Sequence, residues 1–193
     1  FNMNKLKNIF KDWFRVDTRV LGIFRIFLGF LCLWDVWRRY HLIDVFYSSS
    51  GINLSVGTSL NYAPQYFSLL HSFRSSGVMT VFFIVTLIAS LSLLLGYRTK
   101  LSHFLTMLGI LSIHNYRIIL ENGGDMAFNA FLVWSFFLPL GRSLSIDALI
   151  GSLKVKEKSS EELNSFEHSN NFNYYHLGYF GILIQLSIIY FYN

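Results

Sequence analysis

The residues best suited to chemistry lie in one stretch, 113–131, which has the sequence IHNYRIILENGGDMAFNAF. Its candidate catalytic side chains are His114, Arg117, Glu121 and Asp125. Histidine and carboxylate groups act as general acids and bases, whereas an arginine stays protonated and binds anions. We therefore predict a polar site in which Arg117 holds an anionic group, Glu121 or Asp125 transfers protons, and His114 assists.

Other residues of the same stretch complete a candidate binding surface: Asn115, Asn122, Gly123, Gly124 and Asn129. The two glycines provide the backbone freedom needed for a tight reversal, and Asp125 can cap the helix that follows. A purely structural role accounts for all of these residues by spacing alone. In that interpretation the stretch is a helix end, a turn, an N-cap and an ion pair between Arg117 and Glu121, which are four residues apart. The sequence leaves both interpretations open.

Two further candidate binding residues, Arg25 and Asp35, lie inside an apolar run. Arg25 follows Arg19 by six residues, so its head group can reach back toward a membrane interface. Asp35 precedes Arg38 and Arg39 by three and four residues, a spacing that favours local ion pairs on a helix. The alternative is that both charges line an internal polar cavity, because charges inside membrane spans usually face the protein interior.

Motifs of soluble enzymes are missing from the sequence. It contains no P-loop, no dinucleotide-binding glycine motif and no zinc-protease motif. The histidines lack zinc-ligand spacing, so we predict no metal site. The single cysteine, Cys32, excludes an intrachain disulfide.

The elements that must position these residues are apolar helices. The chain has 193 residues, of which 53% are hydrophobic and 14% are charged, against about 25% charged residues in a typical soluble domain. A membrane-spanning helix needs roughly 17–25 mostly apolar residues. We therefore predict an all-α, polytopic transmembrane bundle of about five spans. The first four predicted spans are residues 20–37, 77–95, 100–120 and 126–141.

The basic residues predict an orientation. With a cytoplasmic N-terminus, eleven lysines and arginines fall in inside segments and four in outside segments, as expected for a protein of the cell membrane. The candidate site then lies at the outer surface. We explain the net charge of +5 by the lipid bilayer, because Lys and Arg collect in the cytoplasmic loops of membrane proteins. We therefore expect the bilayer, and not a nucleic acid, as the binding partner.

We divide the chain into four parts. Residues 1–18 are predicted to form a cytoplasmic amphipathic helix at the interface, and residues 19–150 form the membrane domain. Residues 151–175 are charged and rich in Ser and Asn, as is typical of a flexible cytoplasmic linker. Residues 176–193 form a fifth span that is barely long enough to cross. This length, and the opening Phe1, favour a piece of a longer protein.

Helix-end signals add local predictions. Gly96 is suited to end the second span and Thr99 to cap the third. Ser145 can cap a short helix whose first turn carries Asp147. A short amphipathic helix is predicted to start near Pro64, because proline favours a first helical position.

Several motifs along the chain have a recognisable order and spacing. They are Gly96-Tyr97-Arg98-Thr99, Asn115-Tyr116-Arg117, Asn122-Gly123-Gly124-Asp125, Phe137-Leu138-Pro139-Leu140-Gly141-Arg142 and Ser145-Ile146-Asp147, with FYSSSGI (46–52) and LLHSF (69–73) upstream. Together they resemble the horizontally transferred transmembrane (HTTM) family, whose membrane domain is shared with vitamin K-dependent gamma-carboxylases. The resemblance covers most of residues 15–150.

This resemblance implies a helical bundle with a functional outer face and, through the family alone, a quinone-like cofactor. The animal carboxylases use a lysine base in the region corresponding to 115–125. The present chain has no lysine between Lys100 and Lys154, so we do not expect vitamin K-dependent carboxylation. The expected function is assistance in the modification or maturation of a secreted peptide or protein. The alternatives are a non-catalytic membrane scaffold or binding module, or a component that binds or transports quinones or lipids.

Overall fold

A computed structural model describes residues 15–47, 67–72, 75–116, 121–156, 173–175 and 177–192. Most of these residues are helical, and the rest form two strands of three residues each and the connecting turns. The elements in chain order are β1 (Arg15–Asp17), α1 (Thr18–Tyr40), α2 (Ser76–Leu95), α3 (Thr99–Tyr116), α4 (Gly123–Phe136), α5 (Ile146–Lys156), β2 (Asn173–Tyr175) and α6 (Leu177–Tyr192). A π-helical turn, Ile43–Tyr47, follows α1, and a 3₁₀ turn, Leu69–Ser72, precedes α2.

The predicted helical class is confirmed, and two of the predicted spans correspond to helices that can cross a membrane. Among the described residues, α1 and α2 are the helices that are long and apolar enough to cross a membrane. Helices α4 and α6 have 14 and 16 residues, fewer than the roughly 17–25 that a span usually needs. Helix α3 covers most of the third predicted span, although residues 117–120 lie outside the described part.

The predicted boundaries at the two chain ends differ from the observed ones. Residues 1–14 of the predicted interfacial helix lie outside the described part, and the remainder begins with β1, which pairs antiparallel with β2. This pairing satisfies backbone groups between strands instead of within a helix. The predicted linker also begins too early, because α5 continues to Lys156. Of the predicted helix near Pro64, the described residues form the 3₁₀ turn.

The helices pack in sequence order: α1 lies against α2, α2 against α3, and α3 against α4, with α6 covering α4. The contact between α1 and α2 is close. A Cβ atom at Gly29 would lie 2.7 Å from the Cα atom of Leu94, so only glycine fits there. Small residues at helix contacts are typical of membrane bundles, in which van der Waals packing replaces the hydrophobic effect.

Successive helices α1 to α4 run in opposite directions, so helix starts and helix ends meet at each of the two ends of the bundle. We call "polar end" the one where α1 and α3 end and α2 and α4 begin. We call "basic end" the one where α1 and α3 begin and α2 and α4 end. At the polar end, the Ser76 hydroxyl donates to Asp44 Oδ1 at 3.1 Å. At the basic end, Lys100 Nζ donates to the carbonyls of Phe136 and Leu138, at 2.5 and 3.2 Å.

At the basic end, Gly96 makes the link between α2 and α3 possible. Its φ of 72° is left-handed, a conformation that glycine adopts without steric cost, and it ends α2 as predicted. Thr99 is the first residue of α3 and not its cap. The cap comes from a distant element, because Asp147 of α5 accepts hydrogen bonds from the N–H groups of Arg98 and Thr99 at 2.8 and 2.7 Å. Ser145 caps α5 as predicted, accepting from Ala148 N–H at 2.9 Å.

Polar residues are buried between the helices, and apolar residues are exposed around them. The buried polar residues include His103, Thr106, Ser112, Thr86, Ser90 and Ser135. The exposed apolar residues include Phe27, Phe30, Trp34, Val81, Val85 and Ile88. Apolar residues such as Val36, Phe83 and Ile110 are buried as well. Apolar side chains therefore lie both inside the bundle and on its surface, whereas contiguous exposed apolar surface is limited in a soluble domain.

Candidate functional site

His114 stands at the centre of the polar end, in the last turn of α3 and fully buried. Its Nε2 lies 2.8 Å from Asp35 Oδ2, and its Nδ1 lies 2.9 Å from Asn129 Oδ1. The imidazole therefore joins α1, α3 and α4. Both ring nitrogens have hydrogen-bond partners, which fixes the orientation of the ring.

Asp35 also binds two arginines on its own helix. Its Oδ1 accepts from Arg38 Nη2 at 3.0 Å and from Arg39 Nε at 3.1 Å, so the predicted local ion pairs are confirmed. The Arg39 Nη2 atom lies 3.1 Å from Asp125 Oδ2. Arg39 thus connects Asp35 of α1 with Asp125 of α4.

Glu121 precedes α4 and approaches the imidazole from the side of Asn129. Its Oε1 lies 3.6 Å from His114 Nδ1, and 5% of its side chain is exposed. Burial raises the pKa of the Glu121 carboxyl above its usual value. The neighbouring His114 and Arg39 lower this pKa, while Asp125 and Asp35 raise it again. Glu121 is therefore easier to protonate than an exposed glutamate.

Tyr47 closes the cluster from the turn that follows α1. Its ring is buried and stacks on Tyr116 with the centroids 5.8 Å apart. The phenol interacts with the Arg39 guanidinium, and burial raises the pKa of the Tyr47 hydroxyl. We call the following residues the polar-end cluster: Asp35, Arg39, Tyr47, His114, Glu121, Asp125 and Asn129.

Three buried atoms of this cluster lack a well-aligned hydrogen bond within the described part of the chain: Arg39 Nη2, Tyr47 Oη and Glu121 Oε1. Arg39 Nη2 keeps its ion pair with Asp125. Buried polar groups are nearly always hydrogen-bonded in folded proteins. Ion pairing with Asp125 and the contact between Tyr47 and Arg39 therefore take the place of well-aligned hydrogen bonds for two of these atoms.

The start of α4 has a capping box instead of the predicted turn. Asn122 is the N-cap and accepts from Asp125 N–H at 3.1 Å, and Asp125 in turn accepts from Asn122 N–H at 3.1 Å. Gly123 and Gly124 form the first turn of α4, and neither has a positive φ. The prediction that they make a tight reversal was therefore wrong, because the capping box starts the helix at Gly123.

The structure brings together five of the predicted site residues: Asp35, His114, Glu121, Asp125 and Asn129. It separates others. Asn115 donates from Nδ2 to the Phe67 carbonyl at 2.9 Å and so holds the segment before α2. Arg117 lies outside the described residues, and so does its predicted pair with Glu121.

Arg25 belongs to the opposite, basic end. It is fully buried, and its Nη2 donates to the Leu144 carbonyl at 2.6 Å. A Cβ atom at Gly96 would lie 1.5 Å from Arg25 Nη1. The guanidinium therefore fills the space that Gly96 leaves open, and it does not extend to the surface. Arg25 and Asp35 do not share a cavity.

Sequence reasoning missed two members of the polar-end cluster, Arg39 and Tyr47. The spacing from Asp35 indicated the local ion pair of Arg39, but no periodicity could indicate its contact with Asp125. Tyr47 lies within the FYSSSGI motif, which was the available signal. Its burial depends on the π-helical turn that folds it back against α2 and α3.

Asp35, His114 and Asp125 place three possible metal-ligand atoms within 4.8 Å of one another. Both carboxylates are already bound to Arg39, and Asp35 also binds Arg38. A cation placed there would have to compete with two guanidinium groups at short distance. The arrangement therefore favours an ion-pair network over a metal centre.

Comparison of the chain with protein-family models, with curated proteins and with solved structures finds no match.

Proposed function

We propose that this chain is a multi-pass integral membrane protein of the HTTM type, with a cytoplasmic N-terminus and the polar end at the outer surface. The polar side chains buried between the helices and the apolar side chains exposed around them support a membrane location. Within an apolar stretch of 18 residues in each helix, 44% of α1 and 33% of α2 is buried. A core helix of a soluble protein is mostly buried, so the exposed apolar faces fit a lipid environment better.

We further propose that the polar-end cluster handles protons in the modification or maturation of a secreted peptide or protein. The observation that carries this proposal is the placement of His114 between Asp35 and Asn129, with the protonatable Glu121 carboxyl 3.6 Å from Nδ1. An amide side chain offers either its oxygen or its NH₂ group. When Nδ1 of His114 carries a proton, it can donate to the Asn129 oxygen. When Nδ1 carries none, Asn129 can turn its amide and donate from its NH₂ group.

Cysteine labelling tests the orientation. Gly123→Cys introduces a thiol at the polar end, where an added Cβ meets nothing within 4 Å, and Lys154→Cys introduces one on the exposed surface of α5. The native Cys32 is buried and serves as background. In intact cells, an impermeant maleimide should label the Gly123→Cys protein alone. Labelling of the Lys154→Cys protein alone would reverse the proposed orientation.

The Glu121→Gln substitution tests the proton-handling role, because it removes a titratable carboxyl and keeps the shape. We expect cells producing the variant to lose a mass change that the wild-type chain causes in secreted peptides or proteins, as measured by mass spectrometry. The variant protein should remain inserted at wild-type abundance. Arg38→Gln is the matched control, because 55% of the Arg38 side chain is exposed at the edge of the cluster.

A non-catalytic scaffold is the second candidate, and the hydrogen bonds and ion pairs of the polar-end cluster favour it. The contacts of Asp35, Arg39 and His114 join three helices and resemble a structural network. Secreted proteins with identical masses in the presence of wild-type and Glu121→Gln chains, together with loss of the folded chain in the variant, would favour the scaffold over the proton-handling role.

A further inference from the structure

A second candidate site lies at the basic end, on the opposite side of the bundle from the polar-end cluster. A groove of about 640 Å³ runs between the start of α3 and the segment that follows α4. Three cations line it: Arg98, Lys100 and Arg142. Its other walls are largely apolar and include Leu101, Pro139 and Leu140.

The groove has a net positive charge. Its lining contains one carboxylate, Asp147, and this group is already engaged. Asp147 accepts from the N–H groups of Arg98 and Thr99 and from Thr99 Oγ1, the last at 2.7 Å. Three cations and one carboxylate leave a net charge of +2 from these groups. An anion entering the groove therefore meets more attraction than repulsion.

The cations are placed to hold an anion at the rim of the groove. The side chains of Arg98, Lys100 and Arg142 are exposed. Lys100 Nζ uses two of its three donors on the carbonyls of Phe136 and Leu138, which fixes its ammonium beside the groove. Arginine matches phosphate oxygens with two parallel N–H groups. Arg98 and Arg142 both line the groove and can each offer such N–H groups to a phosphate there.

We propose that this groove binds the phosphate group of an anionic phospholipid. Arg98 and Arg142 hold the phosphate, Lys100 adds its remaining donor, and an acyl chain lies along the apolar wall of Leu101 and Pro139. A free phosphate ion satisfies the cations equally well but gains nothing from the apolar wall, which is why we assign a lipid. Basic pockets beside membrane helices are suited to anionic head groups.

The site is separate from the polar-end cluster and is independent of the proposed proton chemistry. It rests on the proposed membrane location, because a lipid reaches the groove from the bilayer. The cysteine labelling described above tests that location on its own. Membrane insertion with the proposed orientation but no preference for anionic lipid would overturn the groove assignment alone.

The test measures lipid binding to the purified full chain in a neutral detergent by native mass spectrometry. Phosphatidylglycerol, phosphatidylcholine and inorganic phosphate are added separately. We expect phosphatidylglycerol adducts to exceed phosphatidylcholine adducts about tenfold or more, since each nearby cation contributes on the order of 1 kcal/mol toward an anionic lipid. The Arg98→Gln/Arg142→Gln double variant should lose this preference.

Lys154→Gln is the matched control, because Lys154 is an exposed cation on α5 that does not line the groove. It should retain the wild-type preference. Equal binding of both lipids, an unchanged double variant, or an equal loss in Lys154→Gln would each overturn the proposal. Binding of inorganic phosphate at the same affinity as phosphatidylglycerol would overturn the lipid assignment. If the double variant does not fold, the two single variants replace it, each with a several-fold expected loss.

Discussion

At the scale of the residue, Asp35 makes two kinds of contact, which differ in how far apart the partners are in the sequence. Its contacts with Arg38 and Arg39 lie three and four residues away on α1. Its contact with His114 joins residues 79 positions apart. The first kind is local to a helix, whereas the second exists only when α1 and α3 lie side by side.

Arg38 and Arg39 provide a matched pair for measuring this network. Both bind Asp35 Oδ1, but 55% of the Arg38 side chain is exposed, compared with 6% for Arg39. Arg39→Gln should lower the free energy of unfolding by about 3–5 kcal/mol, since it leaves buried carboxylates without their counter-charge. Arg38→Gln should cost about 0–1 kcal/mol. Denaturant titration in detergent micelles measures both, and equal losses would contradict the burial argument.

Asp147 gives a pH-dependent prediction. Burial raises the pKa of its carboxyl, but the hydrogen bonds from Thr99 and Arg98 lower it further, to below its usual value. A lowered folded-state pKa contributes stability above the unfolded-state pKa of about 3.9, and this contribution is lost as the pH falls through the folded-state pKa.

The Asp147→Asn variant should therefore be less stable than wild type at pH 7, and the difference should shrink as the pH falls below about 4. Thermal unfolding in micelles between pH 3 and pH 7 measures this difference. A constant difference over the whole range would show that the Asp147 charge does not stabilise the link between α3 and α5.

At the scale of the element, the helix ends decide how the bundle is connected. The end of α2 requires the positive φ of Gly96, and the start of α4 requires the capping box of Asn122 and Asp125. Spacing alone identified Gly96, because glycine after an apolar helix is a common C-terminal signal. It misplaced Gly123 and Gly124, because two consecutive glycines fit a turn and a first helical turn equally well.

Two glycine substitutions test this distinction. Gly96→Ala should destabilise the protein by more than about 1 kcal/mol, because a Cβ there is strained by the positive φ and would lie 1.5 Å from Arg25 Nη1. Gly123→Ala should be neutral or stabilising by up to about 1 kcal/mol, because its Cβ meets nothing within 4 Å. The melting temperature of each variant, compared with that of the wild type, measures these effects. A lower melting temperature for Gly123→Ala would argue against a helical first turn at Gly123.

At the scale of the whole molecule, the exposed apolar surface is the main feature. Val85, halfway along α2, is exposed, and Leu95 is exposed at the end of the same helix. In a soluble protein, a lysine at either position would meet water. In a bilayer, the two positions differ in depth, and lysine at a helix end can extend to the interface.

Val85→Lys should therefore reduce membrane insertion, with a cost of about 3 kcal/mol at mid-span. Leu95→Lys is the control and should insert at nearly the wild-type level. Carbonate extraction of membranes followed by immunoblotting measures the inserted fraction. If both variants are found in the membrane fraction in equal amounts, α2 does not face lipid at Val85.

The sequence alone determined the helical class, the approximate positions of α1 to α4, and the local ion pairs of Asp35. These features depend on composition and on contacts within a few residues, so periodicity and spacing are sufficient to predict them. The stretch 113–131 also contains four members of the polar-end cluster: His114, Glu121, Asp125 and Asn129.

Only the tertiary structure decided which distant groups join this stretch. Arg39 reaches Asp125, and Tyr47 folds back onto Arg39, because helix packing brings the ends of α1 and α3 to the start of α4. It also moved Arg25 to the opposite end and made Asp147 the cap of a helix 48 residues away. Such contacts depend on the relative positions of whole helices, which spacing within any single helix does not specify.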